Sequence, residues 1–415
     1  MPERSDVHYF GAGHSPAPLP TPVLQEASKV LLNYNNTGLG LTEISHRSPE
    51  ANAILAHTQT ALRHLLDIPT SDGPEGYQIL FLQGGGSGEF SAVVYHMISI
   101  WVAKLAKQRQ QGLEQEVKRL RLDYLVTGSW SLKASQEAAR LVGKEYVNVV
   151  ADARQGGKFG VIPAESEWSR TKVEEDVALT YYCDNETVDG VEFPTAPSGK
   201  NLIADMSSNF LSRAVDVKRH IAIFGGAQKN IGTTGITIAI VSNSILPPHA
   251  EMADPVLLRK LGLPIGPVVL DWPTIAKNNS LYNTLPIFDV WIAGQVMQRL
   301  LEQAPDSKTP RISVQEAESN KKAGLLYAVL DEFPEVYQVV PDKSVRSRMN
   351  LCFRIKQGDA EAEKGFLKGA EGRGLLGLKG HRSVGGIRAS NYNAVSVQAA
   401  EKLAGYLRDF AGGKV

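Results

Sequence analysis

An aspartate and a lysine each come directly after a segment that is predicted to be a buried strand. Asp205 follows the apolar run Asn201–Ala204, and Lys229 follows Ile221–Phe224 within a glycine-rich turn. Ligands of open α/β sheets bind beyond the carboxyl ends of the strands, so adjacent strands could direct both side chains into one crevice. A carboxylate at a pyridinium nitrogen and a lysine that forms a Schiff base are what pyridoxal phosphate requires. The spacing alone also fits a surface lysine and an aspartate that caps a loop.

A glycine-rich segment between a predicted strand and a predicted helix offers a second ligand contact. Residues Gln83–Gly88 read QGGGSG. Glycines let the chain turn sharply, and the next helix would present unpaired N–H groups that bind phosphate. The segment matches neither GxxxxGK[ST] nor GxGxxG, because Phe90 occupies the next position and no lysine follows. A turn that merely packs tightly explains the glycines equally well.

Short apolar runs alternate with helical stretches from residue 77 to residue 241, which predicts an α/β domain with a mainly parallel sheet. Start signals for two earlier helices occur at Thr21–Pro22 and at Ser48–Pro49. The predicted helices are Val23–Leu32, Ile54–Leu66, Phe90–Leu105 and Leu132–Leu141. The predicted strands are Tyr77–Leu82, Asp123–Val126, Tyr146–Val150, Leu179–Cys183, Asn201–Ala204, Ile221–Phe224 and Ile236–Val241.

The pattern changes after residue 246. The segment Leu246–Pro273 is rich in proline and leucine, and its path is not predicted. Two long helices and a mixed C-terminal region are expected after it, at Pro286–Leu301, Val314–Leu330, Tyr337–Val340, Met349–Ile355, Val384–Arg388 and Val395–Phe410. The charged segment Gln108–Arg121 is expected to be a solvated helix face or an insertion, and the polar segment Gln357–Lys364 is expected to be a surface loop. These patterns predict an N-terminal arm (1–20), a large α/β domain (21–305) and a smaller α+β domain (306–415).

Composition excludes several classes of protein. The 415 residues include 44 basic and 44 acidic side chains, whereas nucleic-acid binders usually carry a basic excess. Two cysteines, Cys183 and Cys352, are too few for a disulfide framework and suit a reducing compartment. No apolar run approaches the roughly 20 residues of a membrane span, and the N-terminus lacks the pattern of a signal peptide. A cytoplasmic protein without a metal site is therefore expected.

An ordered set of short motifs resembles the phosphoserine aminotransferase family, which belongs to class V of the fold-type I pyridoxal-phosphate enzymes. The motifs occur in family order and extend over most of the chain, at Asn33–Gly38, Glu43–Ser48, Phe81–Ser91, Val126–Ser131, Tyr181–Gly190, Asp205–Ser212, Gly226–Gly232, Leu281–Phe288 and Gly380–Ser390. Any one motif could arise by chance, but the ordered set is specific. The resemblance implies a large domain with a seven-stranded sheet and a smaller C-terminal α+β domain.

The resemblance also implies roles for individual residues. Lys229 corresponds to the Schiff-base lysine, Asp205 to the partner of the pyridine nitrogen, and Thr187 to a contact near the ring hydroxyl. Trp130 corresponds to the aromatic residue that stacks on the pyridine ring, as suits a flat indole. The cofactor phosphate would be contacted by Gly86, Ser87 and Gln228, and by Asn283 and Thr284 of a second subunit. The substrate would be contacted by His46, Arg47, His381, Arg382 and Arg388.

Several assignments have ordinary alternatives. Trp130 could be a packing aromatic at a helix start, Thr187 a turn residue, and the histidines and arginines loop or surface residues. Some bacterial relatives have an arginine where Ser87 stands, and that arginine helps to bind the distal anion of the substrate. Its absence transfers that role to His46, Arg47 and Arg382, while Arg388 would bind the α-carboxylate.

The implied reaction is reversible transfer of an amino group between glutamate and 3-phosphohydroxypyruvate, which gives 2-oxoglutarate and O-phosphoserine. The implied assembly is a homodimer with shared active sites, without nucleic acid or membrane partners. Three alternatives stay open: a cysteine desulfurase, an alanine–glyoxylate aminotransferase and a silent binding module. A desulfurase needs an exposed thiol, a glyoxylate enzyme needs no distal anion site, and the Asp205–Lys229 pair argues against a silent protein.

Overall fold

The computed structural model describes residues 3–11, 16–109, 111–304 and 311–414. The expected arm and the expected domain boundary at 305/306 lie partly outside these residues. The helices are α1 Thr21–Val30, α2 Pro49–Leu66, α3 Gly85–Gln108, α4 Leu113–Glu116, α5 Ser129–Val142, α6 Pro255–Lys260, α7 Trp272–Lys277, α8 Ile287–Glu302, α9 Ser313–Glu332, α10 Ala360–Glu371 and α11 Val397–Ala411. The strands are β1 His8–Tyr9, β2 Tyr77–Leu82, β3 Arg121–Val126, β4 Val147–Asp152, β5 Val177–Cys183, β6 Asn185–Glu186, β7 Val191–Glu192, β8 Leu202–Asp205, β9 Ala222–Gly226, β10 Thr237–Ser242, β11 Tyr337–Val339, β12 Asn350–Ile355, β13 Leu375–Leu376 and β14 Ile387–Ser390.

A seven-stranded sheet organises the first three hundred residues. Its strand order is β2-β10-β9-β8-β5-β3-β4. Neighbouring strands are parallel except where β10 pairs antiparallel with β9 and with β2. The predicted α/β fold with a mainly parallel sheet is therefore confirmed.

Helices cover both faces of this sheet, so its strands are buried throughout and carry near-continuous apolar sequences. Successive strand residues point to opposite faces. Phe81 and Ile240 accordingly pack with α2 and α8 in one core cluster, whereas Leu80 and Val241 pack with α3 and α5 in another. Ser48 begins α2 by accepting a hydrogen bond from the Ala51 amide (3.1 Å), with Pro49 in the first turn, as its start signal predicted.

The C-terminal region has its own sheet and core. Strands β11, β12 and β14 form an antiparallel sheet that packs with α9, α10 and α11. The N-terminal segment joins this region, because β1 pairs with β13 and Phe10 is fully buried in the same cluster. The segment then approaches the turn that carries Lys229, where the Ala17 amide donates to the carbonyl of Gln228 (2.8 Å).

Two segments differ from their expected structure. The polar stretch Gln357–Lys364 was expected as a loop, but Asp359 caps α10 there through the Ala362 amide (2.8 Å). Helix α3 begins at Gly85, inside the glycine-rich turn. Short helices occupy parts of Gln108–Arg121, where a solvated helix face or an insertion was expected, and of the region after residue 246, whose path was not predicted. Asp254 caps α6 in that second region, so polar capping residues begin both α6 and α10.

The described part of the chain has no helix that is long and apolar enough to cross a membrane.

Candidate active site

A cavity of about 210 Å³ lies at the carboxyl ends of the central strands. Strands β5, β8 and β9 run parallel and end there at Cys183, Asp205 and Gly226. The cavity is lined by Gly85, Gly86, Ser87, Phe90, Trp130, Cys183, Asn185, Thr187, Asp205, Ser207, Ser208, Gln228 and Lys229. The sheet therefore brings together Asp205 and Lys229, the pair that the sequence placed after adjacent strands.

Asp205 presents a carboxylate in a nearly dry environment, since it is only 4% exposed. Its Oδ1 accepts hydrogen bonds from the amide (2.9 Å) and hydroxyl (2.6 Å) of Ser207, and the Tyr181 hydroxyl lies 3.4 Å from Oδ2. Burial raises the pKa of Asp205, and the two Ser207 bonds oppose that rise. A cationic partner at this carboxylate would be strongly favoured. Burial deprives the carboxylate of hydrating water, and an opposite charge would compensate for that loss.

Lys229 lies in the turn between β9 and β10 and lines the same cavity. Its Nζ is 5.5 Å from the centre of the Tyr392 ring, which comes from the C-terminal region. Lys322 holds the segment that contains Tyr392, because its buried Nζ donates to the carbonyls of Tyr392 (2.9 Å) and Val395 (2.7 Å). The amine of Lys229 therefore lies where the domain of the seven-stranded sheet meets the C-terminal region.

Helices α3 and α5 both begin at this edge of the sheet, and their first turns differ in whether the backbone N–H groups already have a side-chain partner. The first turn of α3 has no side-chain cap at Gly84, and its Gly85, Gly86 and Ser87 line the cavity. The first turn of α5 is already occupied, because the Glu186 carboxylate accepts its backbone N–H groups. An uncapped helix N-terminus binds phosphate through its free N–H groups and the helix dipole. The glycine-rich motif therefore presents the uncapped first turn of α3 to the cavity.

Trp130 and Thr187 line the cavity together. The indole Nε1 of Trp130 donates to Oγ1 of Thr187 (2.8 Å), which restrains the ring at its nitrogen. Lys133, one helical turn later, places its Nζ 4.3 Å from the indole centre. A flat ligand can therefore stack on an indole whose orientation is set before binding.

A second cavity of about 370 Å³ contains Arg388 and His381. Arg388 is 1% exposed, and its Nη1 donates to the carbonyl oxygen of Thr187 (2.8 Å), a residue of the first cavity. Its buried Nε and Nη2 have no hydrogen-bond partner. Asp189 lines the same cavity, where burial raises its pKa to about 6 and Arg388 opposes the rise. The unused side of the guanidinium has the fork geometry that binds a carboxylate with two bonds.

Five other predicted residues line neither of these two cavities, namely His46, Arg47, Asn283, Thr284 and Arg382. All but His46 are exposed, and Asn283 donates to the Gln83 side chain (2.6 Å) near the start of α3. Any role for these residues in catalysis would therefore need rearrangement or a second copy of the chain.

The sequence did not single out Asn185, Glu186, Ser207 or Ser208. Ser207 could have been found from its position two residues after Asp205, since a hydroxyl at that spacing often bonds back to a carboxylate. Glu186 gave no such signal, because its partners lie more than fifty residues earlier. In the described residues, no group of three or more histidine, cysteine, aspartate or glutamate side chains is arranged to hold a metal ion.

Comparison with known proteins identifies the family. The model of the family "Aminotransferase class-V" matches residues 121–403. A phosphoserine aminotransferase of Saccharomyces cerevisiae is 42% identical over 415 residues, which cover 99% of this chain and 98% of the yeast protein. That of Drosophila melanogaster is 39% identical and covers 97% of both chains. The chain belongs to the phosphoserine aminotransferases of class V.

Solved structures agree with this assignment. The phosphoserine aminotransferase of Bacillus circulans subsp. alkalophilus superposes with a TM-score of 0.80 at 31% identity, covering 98% of this chain and 99% of its own. The enzyme of Trichomonas vaginalis, solved with bound pyridoxal phosphate, gives 0.80 at 32% identity, covering 97% and 99%. This class-V aminotransferase is thus a pyridoxal-phosphate-dependent enzyme. A buried carboxylate, an uncapped helix, an indole and a lysine in one cavity fit that cofactor.

Proposed function

We propose that the chain transfers an amino group reversibly between glutamate and 3-phosphohydroxypyruvate, with O-phosphoserine and 2-oxoglutarate as the other pair. The observation that carries the proposal is the joint placement of Asp205 and Lys229 in one cavity, next to a buried arginine with unused donors. The sequence relatives named phosphoserine aminotransferase support the choice of substrates.

Pyridoxal phosphate, when bound, supplies a ring that accepts the electron pair left at the substrate Cα. Asp205 would hold a proton on the ring nitrogen, and Trp130 would hold the plane of the ring. Gly86, Ser87 and Gln228 would hold the phosphate at the start of α3, where N–H groups are free of a side-chain cap.

Lys229 would hold the cofactor and then move the proton. Once its amine is released, it would take the proton from the substrate Cα and return it at the other reacting carbon. Its Nζ lies 5.5 Å from the centre of the Tyr392 ring, and its side chain lines the cavity that Asp205 also lines.

Arg388 would bind the α-carboxylate that both substrates share. The distal γ-carboxylate or phosphate would be bound by His46, Arg47 and Arg382, with His381 at the second cavity. Because glutamate carries one distal charge and phosphohydroxypyruvate nearly two, several weak contacts suit both better than one rigid site.

The assembly and cell biology of the chain are part of the same proposal. A homodimer would let Asn283 and Thr284 of one chain contact the cofactor phosphate of the other. We also propose the division into an arm, a large domain and a smaller C-terminal domain at residues 20 and 305, and a cytoplasmic location.

Desulfurase chemistry is disfavoured by the two cysteines. Both are buried, and burial raises the pKa of Cys183 well above its usual value and that of Cys352 to about 12. A buried neutral thiol is a poor nucleophile.

Borohydride reduction and substrate comparison test the proposal. Reduction should attach the cofactor to the peptide that contains Lys229, and Lys229→Ala should abolish multiple turnover. Lys321→Ala, at an exposed position of α9, is the matched control and should retain activity. A coupled assay should show phosphohydroxypyruvate preferred over pyruvate and glyoxylate. Labelling of another lysine, or equal use of the three keto acids, would overturn the proposal.

A further inference from the structure

Glu186 is a completely buried acid that the proposed mechanism does not use. It is 0% exposed and lies in β6, directly before Thr187. Its Oε2 accepts the backbone N–H of Trp130 (2.8 Å). Its Oε1 accepts the N–H (2.8 Å) and the hydroxyl (2.6 Å) of Ser131. The carboxylate therefore closes the first turn of α5 from a strand more than fifty residues away.

The fit around this carboxylate is close. Gly128 precedes α5 in an extended conformation, and a Cβ at that position would clash with the Glu186 side chain. The absence of a side chain at residue 128 therefore leaves the space that the carboxylate occupies. A carboxylate that fills its space and accepts three hydrogen bonds has little freedom to move.

Glu186 and Thr187 bind the backbone and the side chain of the same residue, Trp130. Glu186 holds the backbone of Trp130, and Thr187 holds the indole nitrogen (2.8 Å). Arg388 in turn donates to the Thr187 carbonyl (2.8 Å), so the same short segment connects the indole to the second cavity. A ring held only at its Nε1 could still tilt if the first turn of α5 moved.

We propose that Glu186 is a positioning residue, which sets the angle of the Trp130 indole against the cofactor ring by fixing the start of α5. This role rests on the function proposed above. Glu186 lines neither of the two cavities and acts through Trp130. The carboxylate also occupies the N-terminus of α5, whereas the N-terminus of α3 has no side-chain cap.

A simple structural role predicts a different outcome from the positioning role. If Glu186 served only as a stabilising helix cap, its replacement would lower the unfolding temperature and leave cofactor binding unchanged. Glu186→Gln keeps the size of the side chain but replaces one acceptor oxygen by a donor, which faces the N–H groups of α5. Losing a charge-assisted hydrogen bond at a buried site corresponds to about a tenfold to hundredfold change in an equilibrium constant.

The experiment is a double-mutant cycle on cofactor binding. Pyridoxal phosphate is titrated into cofactor-free wild type, Glu186→Gln, Trp130→Phe and the double variant, with the dissociation constant and the visible circular dichroism of the bound cofactor as readouts. Asp359→Asn is the matched control, because Asp359 caps α10 in the C-terminal region and lines neither cavity. Thermal unfolding of each cofactor-free protein reports folding.

Glu186→Gln should weaken cofactor binding at least about tenfold and reduce the visible dichroism, whereas Asp359→Asn should change neither. In the Trp130→Phe background the same substitution should have a much smaller effect. Equal effects in the two backgrounds, or unchanged binding with a lowered unfolding temperature, would overturn the positioning role. Failure of the wild type to bind pyridoxal phosphate would instead contradict the proposed function. If Glu186→Gln does not fold, Glu186→Asp in the same cycle decides between the two roles.

Discussion

Arg388 offers the sharpest test of how substrate lies in the site. Replacing it with alanine should impair both half-reactions to a similar degree, because glutamate and the phosphorylated keto acid each carry an α-carboxylate. The guanidinium is buried, uses Nη1 on the Thr187 carbonyl, and leaves Nε and Nη2 without partners. Those two nitrogens are the donors available to a carboxylate.

The size of the effect follows from these two donors. Each charge-assisted hydrogen bond contributes about 1.5–3 kcal/mol, so two of them correspond to roughly 3–6 kcal/mol. Arg388→Ala should therefore lower kcat/KM of each half-reaction by about 10²–10⁴-fold. Arg388→Lys keeps the charge but cannot present two parallel N–H groups, so it should recover only part of the loss.

Single-turnover kinetics measure each half-reaction separately, with cofactor absorbance as the signal. Arg140→Lys is the matched control, because Arg140 pairs with Glu137 on the exposed side of α5. It should leave both half-reactions unchanged. The assigned orientation of the substrate is wrong if Arg388→Ala spares either half-reaction, or if Arg388→Lys restores full activity.

Two further predictions concern the assembly and pH. Mixing inactive Lys229→Ala and Thr284→Arg chains should restore part of the activity, because a hybrid dimer would retain one intact shared site; a fully active monomer in solution scattering would contradict the dimer. Burial raises the pKa of Glu89 to about 7 from 4.5, so the folded protein holds a proton that the unfolded chain releases between these values. The free energy of unfolding of the cofactor-free protein should therefore fall as pH rises through that interval, and the fall should be smaller in Glu89→Gln, where the contribution of Glu89 is removed. Urea unfolding at about pH 5 and about pH 7.5 measures it, and an equal pH dependence in both proteins would refute the assignment.

Local sequence signals predicted which helices and strands are present better than the residues at which they begin and end. The apolar runs of β5 and β10 and the start signal at Ser48 were sufficient, because burial on both faces and helix capping are local properties. The reversed direction of β10 and the helix after Asp359 were not foreseen. Strand direction depends on pairing between distant segments, and the helix after Asp359 buries only Phe366 and Ala370, so few apolar residues mark its start.

Some residues of the candidate site could likewise be predicted from local sequence, and others could not. The positions of Asp205 and Lys229 follow from a general property of parallel sheets, that loops at the carboxyl ends of the strands meet at one edge. The assignments of Asn283, Thr284 and Arg47 rested on resemblance alone, and a single chain does not bring them to the cavity. Glu186 escaped notice because its hydrogen bonds connect β6 to the start of α5. Contacts between distant segments are visible only after folding.

The hydrogen-bond partners of the buried acids explain how three of them can lie at one edge of the sheet. Asp205, Glu186 and Glu89 are all buried there, and burial raises the pKa of each. Three buried acids without counter-charges would lower the stability of the fold. The α5 N–H groups stabilise Glu186, and the Trp272 indole bonds Glu89 (3.1 Å), which leaves Asp205 as the acid whose natural partner is a cation in the cavity. In the proposed function a cofactor ring with a protonated nitrogen would supply that cation, so the cofactor and the folded edge of the sheet would stabilise each other.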